Sequence, residues 1–162
     1  MLKCAHCVSL LPQRPIGVNP RGLKPLHVWQ IDVTHISEFG NLKYVHVSID
    51  TYSGIIFATA QTGEKAPNVI SHCLQAFAAW GMPRQIETDN GPAYTSQRLL
   101  HFCNALGIKV IHGLPYNPQG QGIVERANAT LKNTLIKQKG GIGVQFKSPR
   151  DKLNISLFSL NF

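Results

Sequence analysis

Carboxylates are scarce in this chain, and three of them sit where they could share a site. The sequence holds eight Asp plus Glu against sixteen Lys plus Arg. Asp32 lies inside the β-branched and aromatic run His27-Val-Trp-Gln-Ile-Asp-Val-Thr-His-Ile36. Asp89 ends a short apolar strand before a Gly/Pro/Asn loop. Glu125 follows after 35 intervening residues, near the start of a basic helix. One acid from a strand interior, one from a strand end and one from a helix can meet only at a common cleft. Like charges at close range raise one another's pKa and resist ionising, so acids gathered this way need a cation between them. Hard oxygen donors of this kind suit Mg²⁺ or Mn²⁺. A carboxylate-held divalent ion in a basic protein is chemistry for a phosphate backbone.

Each acid also has a plainer explanation. Asp89 opens Asp-Asn-Gly-Pro, ordinary turn chemistry, and Glu125 in a first helical turn suits the helix dipole. Asp32 is harder to account for, because a carboxylate between Ile31 and Val33 is costly to bury unless a cation or donor meets it. Spacing at 100° per residue places Val124, Ala127, Leu131 and Leu135 on one apolar stripe facing the sheet. Glu125 lies a quarter-turn from that stripe, with Asn128, Ala129 and Lys132 on its side.

The elements that must position these residues follow from the patterning. Val28 to Ile36, the alternating Val45, Val47 and Ile49, and Ile55 to Ala60 read as three strands of an antiparallel meander. Turn chemistry at Phe39-Gly-Asn41 and Asp50-Thr-Tyr-Ser-Gly54 separates them. Pro67 opens a helix with Ile70, Cys73, Leu74 and Phe77 on its apolar face, closed by Gly81 and Pro83. Arg84 to Asp89 is a fourth strand. Ser96 to Leu106 is a helix built on Leu99, Phe102, Cys103 and Leu106, and Lys109 to His112 is a fifth strand. Strands alternating with helices in this half imply parallel pairing. A loop over residues 113–120 precedes a helix from Gln121. Residues 139–150, glycine-rich and basic, read as mobile. The apolar-rich segment Leu153 to Leu160 reads as an unfinished core element, which points to a truncated sequence whose exposed surface a further helix would cover.

Composition narrows the function. A net charge of +8 and a pI near 9.6 favour a polyanionic partner, nucleic acid before membrane. The 43% hydrophobic content is that of a globular domain with a core. No stretch approaches the roughly 18–20 apolar residues of a membrane span, and residues 1–12 lack the apolar core of a signal peptide. Cys73 and Cys103 fall within apolar helical patterns, so a disulfide scaffold is excluded and a reducing intracellular compartment is expected. Residues 1–26, with four prolines, read as a linker or extended arm. Cys4 and Cys7 form a lone C-x-x-C there, half of a four-ligand zinc site.

The order of elements and the Asp…Asp-35-Glu spacing resemble the catalytic core of retroviral integrases, an RNase H-like fold. The resemblance is carried by Gly17-Val-Asn-Pro-Arg-Gly-Leu23, Trp29-Gln-Ile-Asp-Val-Thr-His35, Tyr44-Val-His-Val, Asp50-Thr-Tyr-Ser, Thr88-Asp-Asn-Gly-Pro-Ala-Tyr94 and Pro115-Tyr-Asn-Pro-Gln-Gly-Gln121 with Ile-Val-Glu-Arg126. These phrases are similar to the betaretroviral branch, which includes endogenous retrovirus K elements. It implies an α/β fold with a five-stranded mixed sheet, meander first and parallel strands after, flanked by helices over residues 27–162. It makes Asp32, Asp89 and Glu125 the catalytic, metal-holding triad for two Mg²⁺ or Mn²⁺ ions. Tyr116, Gln121, Asn128 and Lys132 match positions near viral DNA ends, and Arg126 is a further phosphate contact. Cys4 and Cys7 resemble the last two ligands of the family's N-terminal His-His-Cys-Cys zinc domain, so Zn²⁺ is implied only with upstream ligands. Gly122 stands where the branch usually has Ala, a change expected to loosen the helix start.

The reaction so implied is metal-dependent trimming of a DNA 3′ end, then its joining to a target strand by in-line displacement at phosphorus. Element ends, target DNA and further copies of the chain are the expected partners, and the nucleus the place of action on chromosomal DNA. Two other readings stand beside it: a DDE transposase or RNase H-like nuclease, and a non-enzymatic fragment that at most binds nucleic acid or oligomerises.

Overall fold

The computed structural model describes residues 21–113, 122–138 and 148–162. The meander is present as β1 (Val28–His35), β2 (Tyr44–Asp50) and β3 (Ile56–Gln61), antiparallel throughout. Helix α1 (Ala66–Trp80) leads to β4 (Gln85–Thr88), α2 (Gln97–Ala105) and β5 (Lys109–His112), and then to α3 (Gly122–Lys137) and α4 (Pro149–Asn161). Strand order in the sheet is β3-β2-β1-β4-β5, with β1–β4 and β4–β5 parallel. The five-stranded mixed sheet is the expected RNase H-like arrangement.

Helices cover both faces of the sheet. Val45, Val47 and Ile49 pack with Val124, Ala127 and Leu131 of α3 and Leu153 and Leu157 of α4. On the other face Ile31 and Ile86 meet Val69 and Cys73 of α1 and Leu99 and Cys103 of α2. Cys73 and Cys103 are free and buried, and burial pushes the Cys103 thiol up to about 11. They pack as small hydrophobes.

Three details differ from expectation. Beneath α1, His46 and Ser48 of β2 are buried. His72 of α1 is fully buried, with Nε2 2.7 Å from Ser48 Oγ and Nδ1 2.8 Å from Thr59 Oγ1. The fully buried residues of α1 are Val69, His72, Cys73 and Ala76; of the expected stripe Cys73 sits in the core, Ile70 and Phe77 pack half-buried against it, and Leu74 alone is exposed, at 53%. The Phe39-Gly-Asn41 turn is a 3-10 segment, Ser37–Leu42, whose Gly40 takes φ 61°. The segment Leu153 to Leu160 is a formed helix that covers the core itself by burying Leu153 and Leu157, while Phe158 stays 70% exposed.

Two polar devices fix the meander. Asp50 ends β2 and accepts from Leu26 N at 2.7 Å, Trp29 Nε1 at 3.1 Å, and Tyr52 N and Ser53 N at 2.9 Å each. Burial raises its pKa, but these donors outweigh burial and hold it below the ordinary aspartate value. At the outer edge of the sheet, Asn161 of α4 bonds one residue of β3 twice. Ile56 N donates to its Oδ1 at 2.9 Å, and its Nδ2 donates to Ile56 O at 2.8 Å.

Candidate active site

Strands β1 and β4 pair only from Val28↔Gln85 to Gln30↔Glu87. Beyond Gln30, β1 continues against β2 alone, and Asp32 lies opposite Val47 in that stretch. Asp89 follows the last residue of β4. The two acids therefore flank the point where neighbouring parallel strands part, on the C-terminal side of both, where an open α/β sheet forms its crevice.

A cleft of roughly 770 Å³ opens there, its wall including Asp32, Asp89, Tyr44, Glu64, Lys65 and Tyr94. Asp32 is half-buried, and its Oδ2 accepts from Asn128 Nδ2 of α3 at 2.8 Å. Burial raises its pKa most, with the charges of Asp89 and Glu125 adding to the rise, against hydrogen bonds from the Val33 backbone and Asn128 that lower it. Asp89 is exposed and closes its own turn by accepting from Gly91 N at 2.8 Å through Oδ1. That turn is tied to β5: Gly113 N donates to Thr88 O at 2.8 Å and Asn90 Nδ2 to Gly113 O at 2.8 Å. His112 Nδ1 lies 3.0 Å from Thr88 Oγ1.

Glu125 is exposed in the first turn of α3, within electrostatic reach of Asp32. The helix start is fixed from beneath by the buried Gln30, whose Oε1 accepts from Val124 N at 3.1 Å. Its Nε2 donates to Glu87 Oε2 at 3.1 Å. Gly122 is the first residue of α3 with open space around it, so the interior penalty for glycine does not apply.

Among the described residues no three His, Cys, Asp or Glu side chains stand close enough to hold a metal ion. The donor set nonetheless has the chemistry for one. Asp32 is pressed by two other carboxylates, and the amide of Asn128 is the only side-chain group bonded to it among the described residues. A divalent cation is what relieves such a set.

The remaining sequence candidates fall into three groups. Arg126 and Lys132 are exposed on α3, free to meet phosphate. Asn128, expected near DNA, is buried at 8% exposure and donates to Asp32. Tyr116, Gln121, Cys4 and Cys7 lie outside the described residues. Sequence reasoning missed Gln30 and Tyr94. The first is a polar residue inside an apolar strand beside Asp32, a signal of the same kind that singled out the acid; the second carries no periodic signal.

A family model described as "Integrase core domain" matches residues 22–118. The chain belongs to the integrase core domain family. It is 57% identical over 160 residues to the Intracisternal A-particle Pol-related polyprotein of mouse intracisternal a-particle MIA14, an alignment covering 99% of this chain and 18% of that polyprotein. It is 58% identical over 161 residues to the Gag-Pro-Pol polyprotein of Mason-Pfizer monkey virus, with 99% of this chain and 9% of that protein covered. The chain thus spans a small part of the length of these curated relatives. Among solved structures, a chain of the simian T-cell lymphotropic virus intasome in complex with PP2A regulatory subunit B56 gamma superposes with TM-score 0.80 at 39% identity, over 97% of this chain and 56% of that one. The HTLV-2 integrase catalytic core domain in complex with magnesium, in its dimeric form, gives 0.75 at 37%, over 87% and 90%. The integrase core described above is therefore of retroviral type, with betaretroviral and intracisternal A-particle sequences among its relatives.

Proposed function

We propose that this integrase core is a divalent-metal-dependent polynucleotidyl transferase that trims DNA 3′ ends and joins them to target DNA. The observation that carries the reading is Asp32: a half-buried carboxylate at the parting of two strands, raised by burial and by the charges of Asp89 and Glu125. Asp32, Asp89 and Glu125 would hold Mg²⁺ or Mn²⁺, which when bound supplies an activated nucleophile and a neutralised leaving oxygen at phosphorus. Asn128 orients Asp32 by holding one carboxylate oxygen. Asp89 is presented by its own turn, and Gln30 anchors the helix that presents Glu125. Lys132 and Arg126, exposed on that helix, contact phosphate without reading sequence. Tyr116 and Gln121 belong to the same DNA-facing role. The net charge of +8 suits a DNA partner, and the HTLV-2 core's dimeric form supports association between copies. Work on chromosomal DNA would place it in the nucleus, and a Zn²⁺ at Cys4 and Cys7 would need two further ligands.

The test is a strand-transfer and end-joining-reversal assay on purified protein with Mg²⁺, with EDTA and with Asp89→Asn. Product that requires Mg²⁺ and is lost in Asp89→Asn supports the reading. Equal product from both proteins would defeat it.

A further inference from the structure

Tyr94 stands at the wall of this cleft with a polar atom that has nothing to bond. It follows the turn begun by Asp89: Tyr94 N donates to Gly91 O at 3.0 Å. A Cβ on Gly91 would come within 2.9 Å of Asp89 Oδ1 and 3.4 Å of the Tyr94 ring, so carboxylate and ring crowd the same glycine. The residue is 5% exposed, its ring packed with Ile31, Val69, Cys73 and Leu99 beneath the sheet. It nevertheless lines the cleft together with Asp32 and Asp89.

Its hydroxyl is buried and, among the described residues, has no hydrogen-bond partner. Tyrosine buried this deeply ordinarily bonds its hydroxyl, and a stranded polar atom in a packed site calls for an explanation. Phenylalanine would fill the same space without one. The oxygen lies within electrostatic reach of Asp32, Asp89 and Glu64, all members of the cleft wall. Toward carboxylates a phenol can only donate. Asp32 is already held by Asn128 from α3, on the opposite face of the sheet from the Tyr94 ring.

We infer that Tyr94 is a positioning residue whose hydroxyl donates to the Asp32 carboxylate when a divalent cation draws the acids of the cleft together. Asn128 and Tyr94 then clamp Asp32 from the two faces of the sheet and fix the rotation of its carboxylate. The inference rests on the proposed role of Asp32 in holding metal. It adds that the metal-supporting shell includes a hydroxyl that phenylalanine would lack.

The experiment uses the full chain labelled with ¹³Cζ-tyrosine, as wild type, Tyr94→Phe and Asp32→Asn. The chain has four tyrosines, and the Tyr94 resonance is the one missing from Tyr94→Phe. Mg²⁺ is titrated while the tyrosine spectrum and the thermal midpoint are followed. We expect the Tyr94 resonance to move with the same midpoint as the thermal stabilisation. Tyr94→Phe should keep or raise its Tm without Mg²⁺, since a stranded hydroxyl is gone, yet need 10–100-fold more Mg²⁺ for the same shift, as for other groups that orient metal ligands. In strand transfer its rate should recover at high Mg²⁺, a change in apparent KM for the ion with kcat kept. A Tyr94 resonance unmoved at saturating Mg²⁺, a wild-type Mg²⁺ midpoint in Tyr94→Phe, or loss of its fold without Mg²⁺ would each overturn the inference. If Asp32→Asn abolishes the Mg²⁺ response while Tyr94→Phe leaves it unchanged, the inference alone falls. If wild type shows no Mg²⁺ response, the metal role of Asp32 falls and takes the inference with it.

Discussion

Asp32 shows at the scale of one residue how stability and chemistry oppose each other. Burial first, then Asp89 and Glu125, raise its pKa above that of an unfolded aspartate. Between those two values the native state binds the proton more tightly, so stability falls as pH rises through the window, and at neutral pH the ionised form is a net cost. Asp32→Asn should therefore raise Tm in EDTA at pH 7 and lose stabilisation by Mg²⁺. For the wild type that stabilisation is about 2.7 kcal/mol at a hundred times Kd. Differential scanning fluorimetry with and without EDTA checks both halves, and an Asp32→Asn protein less stable than wild type in EDTA refutes the first. Asp32 stands out in sequence because a carboxylate inside an apolar strand violates a strong rule. The bond from Asn128 to Asp32 was not legible, because helical spacing says which side a residue shares with Glu125 but not that β1 presents an acceptor to it. Tyr94 was missed because an orphaned hydroxyl exists only once neighbours are packed around it.

Among the elements, the contact between α1 and the meander is legible only in part. Of the expected face Ile70, Cys73, Leu74 and Phe77, all but Leu74 lie in or against the core; leaving His72 off that face supposes that it faces water. It does not, because Ser48 and Thr59 on the sheet offer it two hydroxyls. Burial, with the neighbouring His46 adding to it, lowers the His72 pKa to about 3, and burial lowers that of His46 as well. The unfolded chain takes up these protons near 6.5 while the native state refuses them, so stability is lost as pH falls from about 6.5 toward 3. His72→Leu should be less stable at pH 7 yet show a flatter decline between pH 6.5 and 4, by up to about 1.4 kcal/mol per pH unit for one proton. Chemical denaturation across that range reads the slope, and an unchanged slope would assign the acid loss elsewhere. At the end of β2, Asp50→Ala strands the donors of Leu26, Trp29, Tyr52 and Ser53. With each stranded donor costing roughly 1–3 kcal/mol where it stays buried, a loss of about 3 kcal/mol or more is expected in urea unfolding. A loss under about 1 kcal/mol would mean water replaces the carboxylate freely.

For the whole molecule, charge and edges matter more than any one contact. With a net charge of +8 and Arg126 and Lys132 exposed on α3, duplex DNA binding should be sequence-tolerant and fall steeply with salt, each neutralised phosphate adding roughly −0.9 to the log–log slope. Fluorescence anisotropy between low and high salt measures it, and a slope near zero would remove the phosphate contacts from the argument. The sheet itself was legible from turn chemistry and alternation, whereas what lies at its rim was not, because rim contacts join residues far apart in the chain. Asn161 is the clearest case. By accepting from Ile56 N and donating to Ile56 O, its side-chain amide stands in for the peptide group of a sixth strand. The outermost strand of a sheet is an open template on which a foreign extended chain can add itself. One asparagine on a docked helix thus occupies the outward donor and acceptor of Ile56, removing that pair from the template an added chain would need.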